Sequence, residues 1–438
     1  MWYSLHMKKR RLIIIAVIII TFLFTGQAQV FADYDGSKLG GDSIILMNLE
    51  NGDILYEKNA YEVRDPASIT KIVTLMVVLD TLEMDQEVTV PDNVDGSGTT
   101  IGLIPGEKLT VEQLVYGMML KSGNDAAQVL ALEAAGSIDA FSDLMNAKAK
   151  ECGAKDTHYK NPNGLNPEEV NNVTTAYDQA LITREAMKDE RFRKIVGTAK
   201  YTIPATNKSD ERVIKSSNSC LWVTNRKKKV NGVAMPYKYD GCTGVKTGHS
   251  STAGYCYVGT AKRDNMELVV VTLDTRKYSD RYGDAMKLWE YAFNTFRTYT
   301  AAAAGDVICS EKVKRGALSE VDLGVAEDMD ITVKKDYDAE NNITTSVKPN
   351  SKDLVAPIEK GEVMGTLEAY DENGKLLATS ELVALEDVEK GGPLSYIGVS
   401  DEDAGLFLMM ILSLIIILIL IILIIVRLRK GKASQDSN

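Results

Sequence analysis

Histidine is scarce in this chain of 438 residues, which contains only His6, His158 and His249. A serine hydrolase with a Ser-His-Asp triad needs a histidine beside its nucleophile. His6 lies in the N-terminal segment, and neither of the other two neighbours a serine that begins a predicted helix. We therefore expect any serine nucleophile in this chain to use a base other than histidine.

Cysteine is also infrequent, and the five cysteines form no Cys-x-x-Cys pair. Structural zinc sites usually show such spacing, often completed by histidines that are few here. We therefore expect no metal, and no organic cofactor is indicated. Cys220 and Cys242 flank one polar segment and are the favoured disulfide pair, although free buried thiols are an equal alternative.

Positive charge is in deficit, with 50 Lys and Arg residues against 61 Asp and Glu residues and a formal net charge of −11. Much of the imbalance falls in residues 300–405, which hold 23 acidic and 10 basic residues. So acidic a surface repels nucleic acid and anionic lipid. No nucleic-acid partner is expected.

The two ends of the chain carry long apolar runs. Four basic residues precede the run Leu12 to Phe24, and Val30-Phe31-Ala32 follows it. This pattern predicts a signal peptide over 1–32, cleaved before Asp33, with an uncleaved anchor as the alternative. The second run, Leu406 to Val426, is long enough to cross a bilayer and is followed by basic residues. The positive-inside rule then predicts a juxtamembrane segment and transmembrane helix over 399–427, a cytoplasmic tail over 428–438 and an extracytoplasmic catalytic domain, giving a single-pass protein of the cell membrane.

Between these ends the pattern predicts an α+β fold in which helices flank one antiparallel sheet. Two apolar runs around Asn51-Gly52 predict one hairpin, and the runs 254–261 and 266–273 predict a second. Helical periodicity occupies much of 110–190, whereas 205–240 is polar and is expected to be irregular. We assign 33–299 to a catalytic domain and 300–398, where short alternating strands prevail, to a small β-rich domain.

The pair Ser68 and Lys71 is the only Ser-x-x-Lys in the chain. Asp65-Pro66 predicts a helix start here, so residues three apart would lie on one helix face. A lysine can act as the base for a serine if burial or a second cation lowers its pKa. Free backbone N–H groups in the first helical turn would also stabilise an oxyanion. A chance pair is the alternative when this motif is taken alone.

Two further motifs follow in order along the chain. Ser122-Gly123-Asn124 lies at a break between predicted helices and offers a hydroxyl and an amide. A second Ser-x-Asn, Ser216-Ser217-Asn218, lies in the polar segment and is disfavoured by that context. Lys246-Thr247-Gly248 precedes a predicted strand, where Lys and Thr can bind a carboxylate and Gly permits close approach of a substrate backbone.

Ser-x-x-Lys, Ser-x-Asn and Lys-Thr-Gly in this order are typical of penicillin-binding proteins and serine β-lactamases. The wider stretches 65–71, 120–126 and 246–249 resemble the low-molecular-mass serine D-alanyl-D-alanine carboxypeptidases, and the resemblance covers most of residues 38–395. It implies peptidoglycan stem peptides as substrates and β-lactams as inhibitors. It also implies that the 300–398 segment is a β-sandwich that raises the enzyme above the membrane.

The resemblance also implies a role for each matching residue. Ser68 would be acylated, Lys71 would be its base, and Ser122 would pass a proton to the leaving amine. The substrate would be bound by a second set of residues: Asn124, Lys246, Thr247, Gly248, His249 and Arg281. The backbone N–H groups of Ser68 and His249 would form the oxyanion hole, and Arg281 would face the terminal carboxylate.

Two features depart from the family pattern. Leu406–Val426 resembles a true span rather than an amphipathic helix on the membrane, and the 205–240 segment is longer than usual for the family.

Three rival functions share the motifs. The chain has no Glu-x-x-Leu-Asn motif, which disfavours a class A β-lactamase. A D,D-endopeptidase acting on cross-links and an inactive peptidoglycan-binding scaffold both stay open.

Overall fold

The computed structural model describes residues 34–94, 96–165, 172–351 and 353–435. The predicted signal peptide, 1–32, lies outside the described residues. The chain divides into two compact units. The first unit extends to Thr298 and also includes the segment Thr332–Tyr337. The second comprises Tyr299–Ile331 and the chain from Asp338 onward.

The first unit is built from helices and mostly short strands. In chain order these are β1 (Ser43–Asn48), β2 (Ile54–Lys58), α1 (Lys71–Thr81), β3 (Glu87–Thr89), β4 (Lys108–Thr110), α2 (Val111–Lys121), α3 (Asn124–Ala135), α4 (Ile138–Glu151), α5 (Ala176–Ala186), α6 (Glu190–Val196), β5 (Lys200–Ile203), β6 (Arg212–Lys215), β7 (Lys227–Val230), β8 (Val233–Pro236), β9 (Cys242–Ser250), β10 (Gly254–Arg263), β11 (Met266–Thr275) and α7 (Tyr278–Thr295).

The central sheet has five antiparallel strands in the order β2-β1-β11-β10-β9. Both predicted hairpins are present, β1–β2 around Asn51-Gly52 and β10–β11. Gly52 adopts a φ of +83°, which explains why the turn uses glycine. Because β9 lies at the edge of the sheet, one side of its Lys-Thr-Gly motif has no strand partner in the sheet.

The sheet is covered on both faces, as its alternating side chains require. On β1, Ile45 and Met47 join the core beneath helices α1 to α6. Ile44 and Leu46, one residue out of phase, pack on the other face with α7. The predicted α+β layering is therefore confirmed, and helix α1 is buried on nearly every side.

Three local predictions need correction. The α-helix begins at Lys71, and Ser68 lies in a 3-10 turn, Ala67–Thr70, that leads into it. The 205–240 segment is not irregular throughout, because it contributes β6 and the β7–β8 hairpin. All five cysteines are free, so the favoured Cys220–Cys242 disulfide is not formed.

The remaining elements are β12 (Phe296–Ala302), β13 (Val307–Lys314), β14 (Glu320–Val325), β15 (Met329–Lys334), α8 (Ala339–Asn342), β16 (Thr344–Pro349), β17 (Leu354–Val355), β18 (Val363–Tyr370), β19 (Leu376–Ala384) and α9 (Asp401–Gln435). Six strands form one sheet in the order β16-β18-β19-β14-β13-β17, which gives the predicted β-rich domain its core. Helix α9 contains one stretch, Asp401–Arg427, that is long and apolar enough to span a membrane, with a mean hydropathy of 3.7 in its most apolar window.

Candidate active site

Ser68 is held by a tight turn before α1. The Asp65 carboxylate accepts a hydrogen bond from the Ala67 N–H at 2.8 Å, closing a side-chain turn around Pro66. Ala67 takes a left-handed φ of +46°, an uncommon conformation for a residue with a Cβ. The turn leaves Ser68 half-buried, with its Oγ 3.0 Å from Lys71 Nζ.

Lys71 is completely buried and has three oxygen neighbours. Its Nζ lies 3.0 Å from Ser68 Oγ, 2.7 Å from Asn124 Oδ1 and 2.6 Å from the Asn163 carbonyl oxygen. The Asn124 amide is oriented by its Nδ2, which donates to the Ser97 carbonyl at 3.0 Å. The oxygen of that amide therefore faces the lysine.

Burial lowers the pKa of Lys71 well below its usual value, and the positive charge of Lys246 lowers it further. The negative charge of Asp125 opposes this shift. A neutral lysine has two N–H donors and one lone pair. The carbonyl oxygens of Asn124 and Asn163 only accept, so they take the two donors, and the lone pair is left for the Ser68 hydroxyl. The geometry thus fits a neutral base beside its serine.

A second buried lysine, Lys246, lies on strand β9. Lys246 is 1% exposed, and its Nζ donates to Ser122 Oγ at 3.0 Å and to the Thr247 carbonyl at 2.9 Å. Burial lowers the pKa of Lys246 to about 7, and the positive charge of Arg281 adds to the shift. Ser122 is the C-cap of α2 in the left-handed conformation (φ +67°), which aims its side chain away from the helix.

Packing requires glycine at position 248, which the sequence did not reveal. A Cβ built on Gly248 would lie 2.9 Å from the Pro66 carbonyl oxygen and 3.3 Å from Ala67 Cβ. Glycine therefore lets the turn that carries Ser68 approach strand β9. Close approach of a substrate backbone, the reason inferred from the sequence, is a separate use of the same residue.

Arg281 is buried rather than exposed on the surface, although it opens onto the cleft. One of its nitrogens, Nη1, donates to the Gly248 carbonyl at 3.0 Å. The guanidinium carbon lies 4.6 Å from the ring centroid of Tyr278 and 4.9 Å from that of Tyr282. Its Nε is buried and has no hydrogen-bond partner among the described residues.

These side chains meet in one open cleft with a volume of about 330 Å³. Six predicted residues line it: Ser68, Ser122, Thr247, Gly248, His249 and Arg281. The ring of His249 is exposed and stacks on Tyr255, with ring centroids 4.2 Å apart. Lys71, Asn124 and Lys246 lie behind this surface and contact it through Ser68 and Ser122.

Among the contributors to the site that sequence reasoning missed, two bear on its chemistry. Ser217, from the disfavoured Ser-x-Asn, lines the cleft, and its Oγ lies 2.8 Å from Thr247 Oγ1. The carbonyl of Asn163 is the second, since it accepts from Lys71. Gly164 follows this carbonyl with a φ of +78°. A Cβ at this position would lie 1.9 Å from the Ala67 carbonyl oxygen, so the turn requires glycine. The Asn163-Gly164 pair was a visible signal for a turn, but its carbonyl has no signature in sequence.

Comparison with known proteins identifies the family to which this chain belongs. The family model for D-alanyl-D-alanine carboxypeptidases matches residues 30–277, and that for the C-terminal domain of penicillin-binding protein 5 matches 296–390. The D-alanyl-D-alanine carboxypeptidase DacF of Bacillus subtilis is 30% identical, over 88% of this chain and 95% of the relative. The chain belongs to the D-alanyl-D-alanine carboxypeptidase family. It is a serine-type carboxypeptidase and a low-molecular-mass penicillin-binding protein.

Solved structures of the family show the same fold. Penicillin-binding protein 5 from Haemophilus influenzae is 27% identical and superposes with a TM-score of 0.67, covering 82% of this carboxypeptidase and all of that chain. A structure of PBP3 from Streptococcus pneumoniae, described as a peptidoglycan synthesis regulatory factor, is 26% identical with a TM-score of 0.65, covering 80% of this chain and all of that one. The likeness spans both the catalytic and the β-rich parts.

Proposed function

We propose that this carboxypeptidase removes the terminal D-alanine from peptidoglycan stem pentapeptides through an acyl-enzyme on Ser68, and so limits cross-linking of the cell wall. The observation that carries the proposal is the 3.0 Å contact between Ser68 Oγ and the buried Lys71 Nζ, whose pKa is held low by burial and by a second cation. A serine so placed has a base for its proton within hydrogen-bond distance.

In the acylation step, Ser68 Oγ attacks the carbonyl carbon of the penultimate D-alanine while its proton passes to Lys71 Nζ. The backbone N–H groups of Ser68 and His249 are assigned to the oxyanion that forms. When the C–N bond breaks, Ser122 gives a proton to the leaving amine and is reprotonated from Lys246, 3.0 Å away. Water then attacks the Ser68 ester and gives up a proton through Ser122 to Lys246, while Lys71 returns its proton to Ser68 Oγ. The shortened peptide leaves as its carboxylic acid, and the serine hydroxyl and both lysines are restored.

The substrate is held by the cleft walls. Asn124 is assigned to the substrate amide, while Thr247, Arg281 and Lys246 provide hydroxyl and positive charge for the terminal carboxylate. The position of Thr247 and Arg281 in the lining of the cleft supports this assignment. A β-lactam presents a carboxylate and a reactive carbonyl together, so we assign the same site to β-lactam inhibition, by acylation of Ser68.

The test is D-alanine release from a pentapeptide stem by the purified protein, with Ser68→Ala alongside. Ser142→Ala on α4 is a matched control, because the Ser142 hydroxyl is buried without a hydrogen-bond partner among the described residues. Release by the parent and the control but not by Ser68→Ala supports the proposal. Release only from cross-linked dimers would favour the D,D-endopeptidase, and no release from either substrate would favour the inactive scaffold.

We further propose that α9 spans the cell membrane once, with the catalytic domain outside the cytoplasm. The fully exposed apolar stretch within Asp401–Arg427 supports this assignment. Deleting residues 406–438 should move the protein from the membrane fraction to the soluble fraction. Retention of the shortened protein in membranes after alkaline extraction would contradict it.

A further inference from the structure

Two apolar side chains stand in solvent immediately before the proposed span. Tyr396 and Ile397 are 69% and 67% exposed, the highest values among the large apolar side chains described outside α9. Both lie in a 3-10 turn, Pro393–Ile397, that is closed by Gly398 in the left-handed conformation. Arg315 lies beside them, with its guanidinium carbon 5.4 Å from the Tyr396 ring centroid.

This turn is hydrogen-bonded to the first turn of α9 through the β-rich unit. The Gly392 N–H donates to the Asp401 carboxylate at 2.8 Å, and the Asp401 N–H donates to the Ala317 carbonyl at 3.0 Å. The Gly391 N–H donates to the Arg315 carbonyl at 2.9 Å. Ser400 caps the helix by accepting from the Asp403 N–H. No free linker therefore separates the β-rich unit from α9.

The height of this turn relative to a bilayer follows from helix geometry. The uniformly apolar run begins at Leu406, five residues after Asp401, which corresponds to about 7.5 Å along a helix. The headgroup layer on each side of a bilayer is about 5–8 Å thick. Asp401 would then lie at the outer edge of the headgroup layer, and the turn bonded to Asp401 lies near the same level.

We propose that Arg315, Tyr396 and Ile397 form a juxtamembrane surface that enters the outer interface of the membrane. Its occupant is the headgroup layer of the outer leaflet, where the ring and hydroxyl of a tyrosine are both satisfied. Apolar insertion supplies the attraction, because residues 300–405 are strongly acidic and repel anionic lipid. The inference rests on the membrane span proposed above. Its consequence is that the β-rich unit is fixed in orientation at the membrane rather than tethered freely.

The test uses the full chain in phosphatidylcholine vesicles whose acyl chains carry bromine at shallow or deep positions. Tyr396→Trp keeps an aromatic ring in the turn, and its fluorescence is read as the increase over the parent, which itself contains Trp2, Trp222 and Trp289. We expect this added fluorescence to be quenched most by shallow bromine and weakly by deep bromine.

Two tryptophan controls separate the possible failures. Val307→Trp, exposed at the far end of β13 and about 23 Å along the strand from Lys314, should not be quenched. Ile416→Trp, within the proposed span, should be quenched most by deep bromine. If Ile416→Trp is quenched but Tyr396→Trp is quenched no more than Val307→Trp, the juxtamembrane surface is refuted while the span stands. If Ile416→Trp is not quenched at all, the span itself fails and this inference falls with it.

Discussion

Replacing Lys246 by methionine should stabilise this carboxypeptidase while abolishing its activity, and the gain should depend on pH. Lys246 is 1% exposed, and its pKa is about 7 in the folded protein against a usual value of 10.5. Between these two values the unfolded chain binds the proton and the folded chain does not. The free energy of unfolding of the parent therefore rises with pH in this window, and at pH 7 and below the buried lysine costs the most.

The size of the effect follows from the shift. Each pH unit inside the window changes the free energy of unfolding by roughly 1.4 kcal/mol, so the change from pH 6 to pH 9 is on the order of 3 kcal/mol. Lys246→Met has no such titration, and its advantage over the parent should shrink by that amount. Removing the charge of Lys246 also removes the repulsion that lowers the pKa of Lys71. This relief of repulsion also stabilises the variant relative to the parent.

At pH 6 the charged form of Lys246 is disfavoured in the folded protein by about 5 kcal/mol, because its pKa falls from 10.5 to about 7. Lys246→Met also loses the two hydrogen bonds from Nζ, to Ser122 and to the Thr247 carbonyl. Their loss offsets about 3 kcal/mol of the gain from removing the buried charge. The net stabilisation expected at pH 6 is therefore about 2 kcal/mol.

The measurement is denaturant unfolding of parent and variant at pH 6 and pH 9. The control is Lys262→Met, which replaces an exposed lysine on β10. This substitution removes an ammonium group that is in water rather than buried. The control should show no comparable pH-dependent gain. A Lys246→Met advantage that stays constant or grows between pH 6 and pH 9 would refute the reasoning that burial lowers this pKa.

Three further variants test other parts of the site. Gly164→Ala should destabilise the protein by about 3 kcal/mol and slow acylation by penicillin, because its Cβ would collide with the Ala67 carbonyl; thermal unfolding and intact mass would show this. Asp125→Asn removes the charge that opposes the low pKa of Lys71, so the rise of the acylation rate with pH should move to lower pH in a stopped-flow profile. Arg281→Gln removes a charge that lowers the pKa of Lys246, so that pKa should rise above about 7, and KM for the pentapeptide should increase; a pH series of steady-state rates measures both.

The sequence predicted those features of the fold and site that local chemistry determines. Asn51-Gly52 marks a turn by its own backbone preference, and Ser68 with Lys71 are neighbours by helical spacing alone. The left-handed conformation of Ser122 and the contact of Gly248 with the Pro66 carbonyl were not predictable in the same way. They arise where distant segments meet, and no local pattern records which segments will do so.

The position of Ser217 in the cleft was also not predictable from local sequence. Its motif was visible, but its polar surroundings suggested a solvated loop. Strand β6 ends at Lys215, and the Ser217 N–H then donates to the Leu120 carbonyl at 2.8 Å, which draws this segment to the end of α2. The resulting contact with Thr247 is a tertiary one. Polar composition indicated that the segment was exposed, but it could not indicate that the exposed face was the cleft.

The scarcity of histidine and the burial of two lysines are connected. A histidine titrates near neutral pH without help, whereas a lysine reaches that range only when burial and neighbouring cations destabilise its charged form. Lys71 is buried against Asn124 and Asn163, and Lys246 is buried beside Arg281, so each lysine lowers its own pKa by its position and Lys246 also lowers that of Lys71. The stability lost in burying two cations is thus the physical source of the base on which the proposed acylation depends. A cleft relaxed enough to hydrate Lys71 would be more stable and would leave Ser68 without a base.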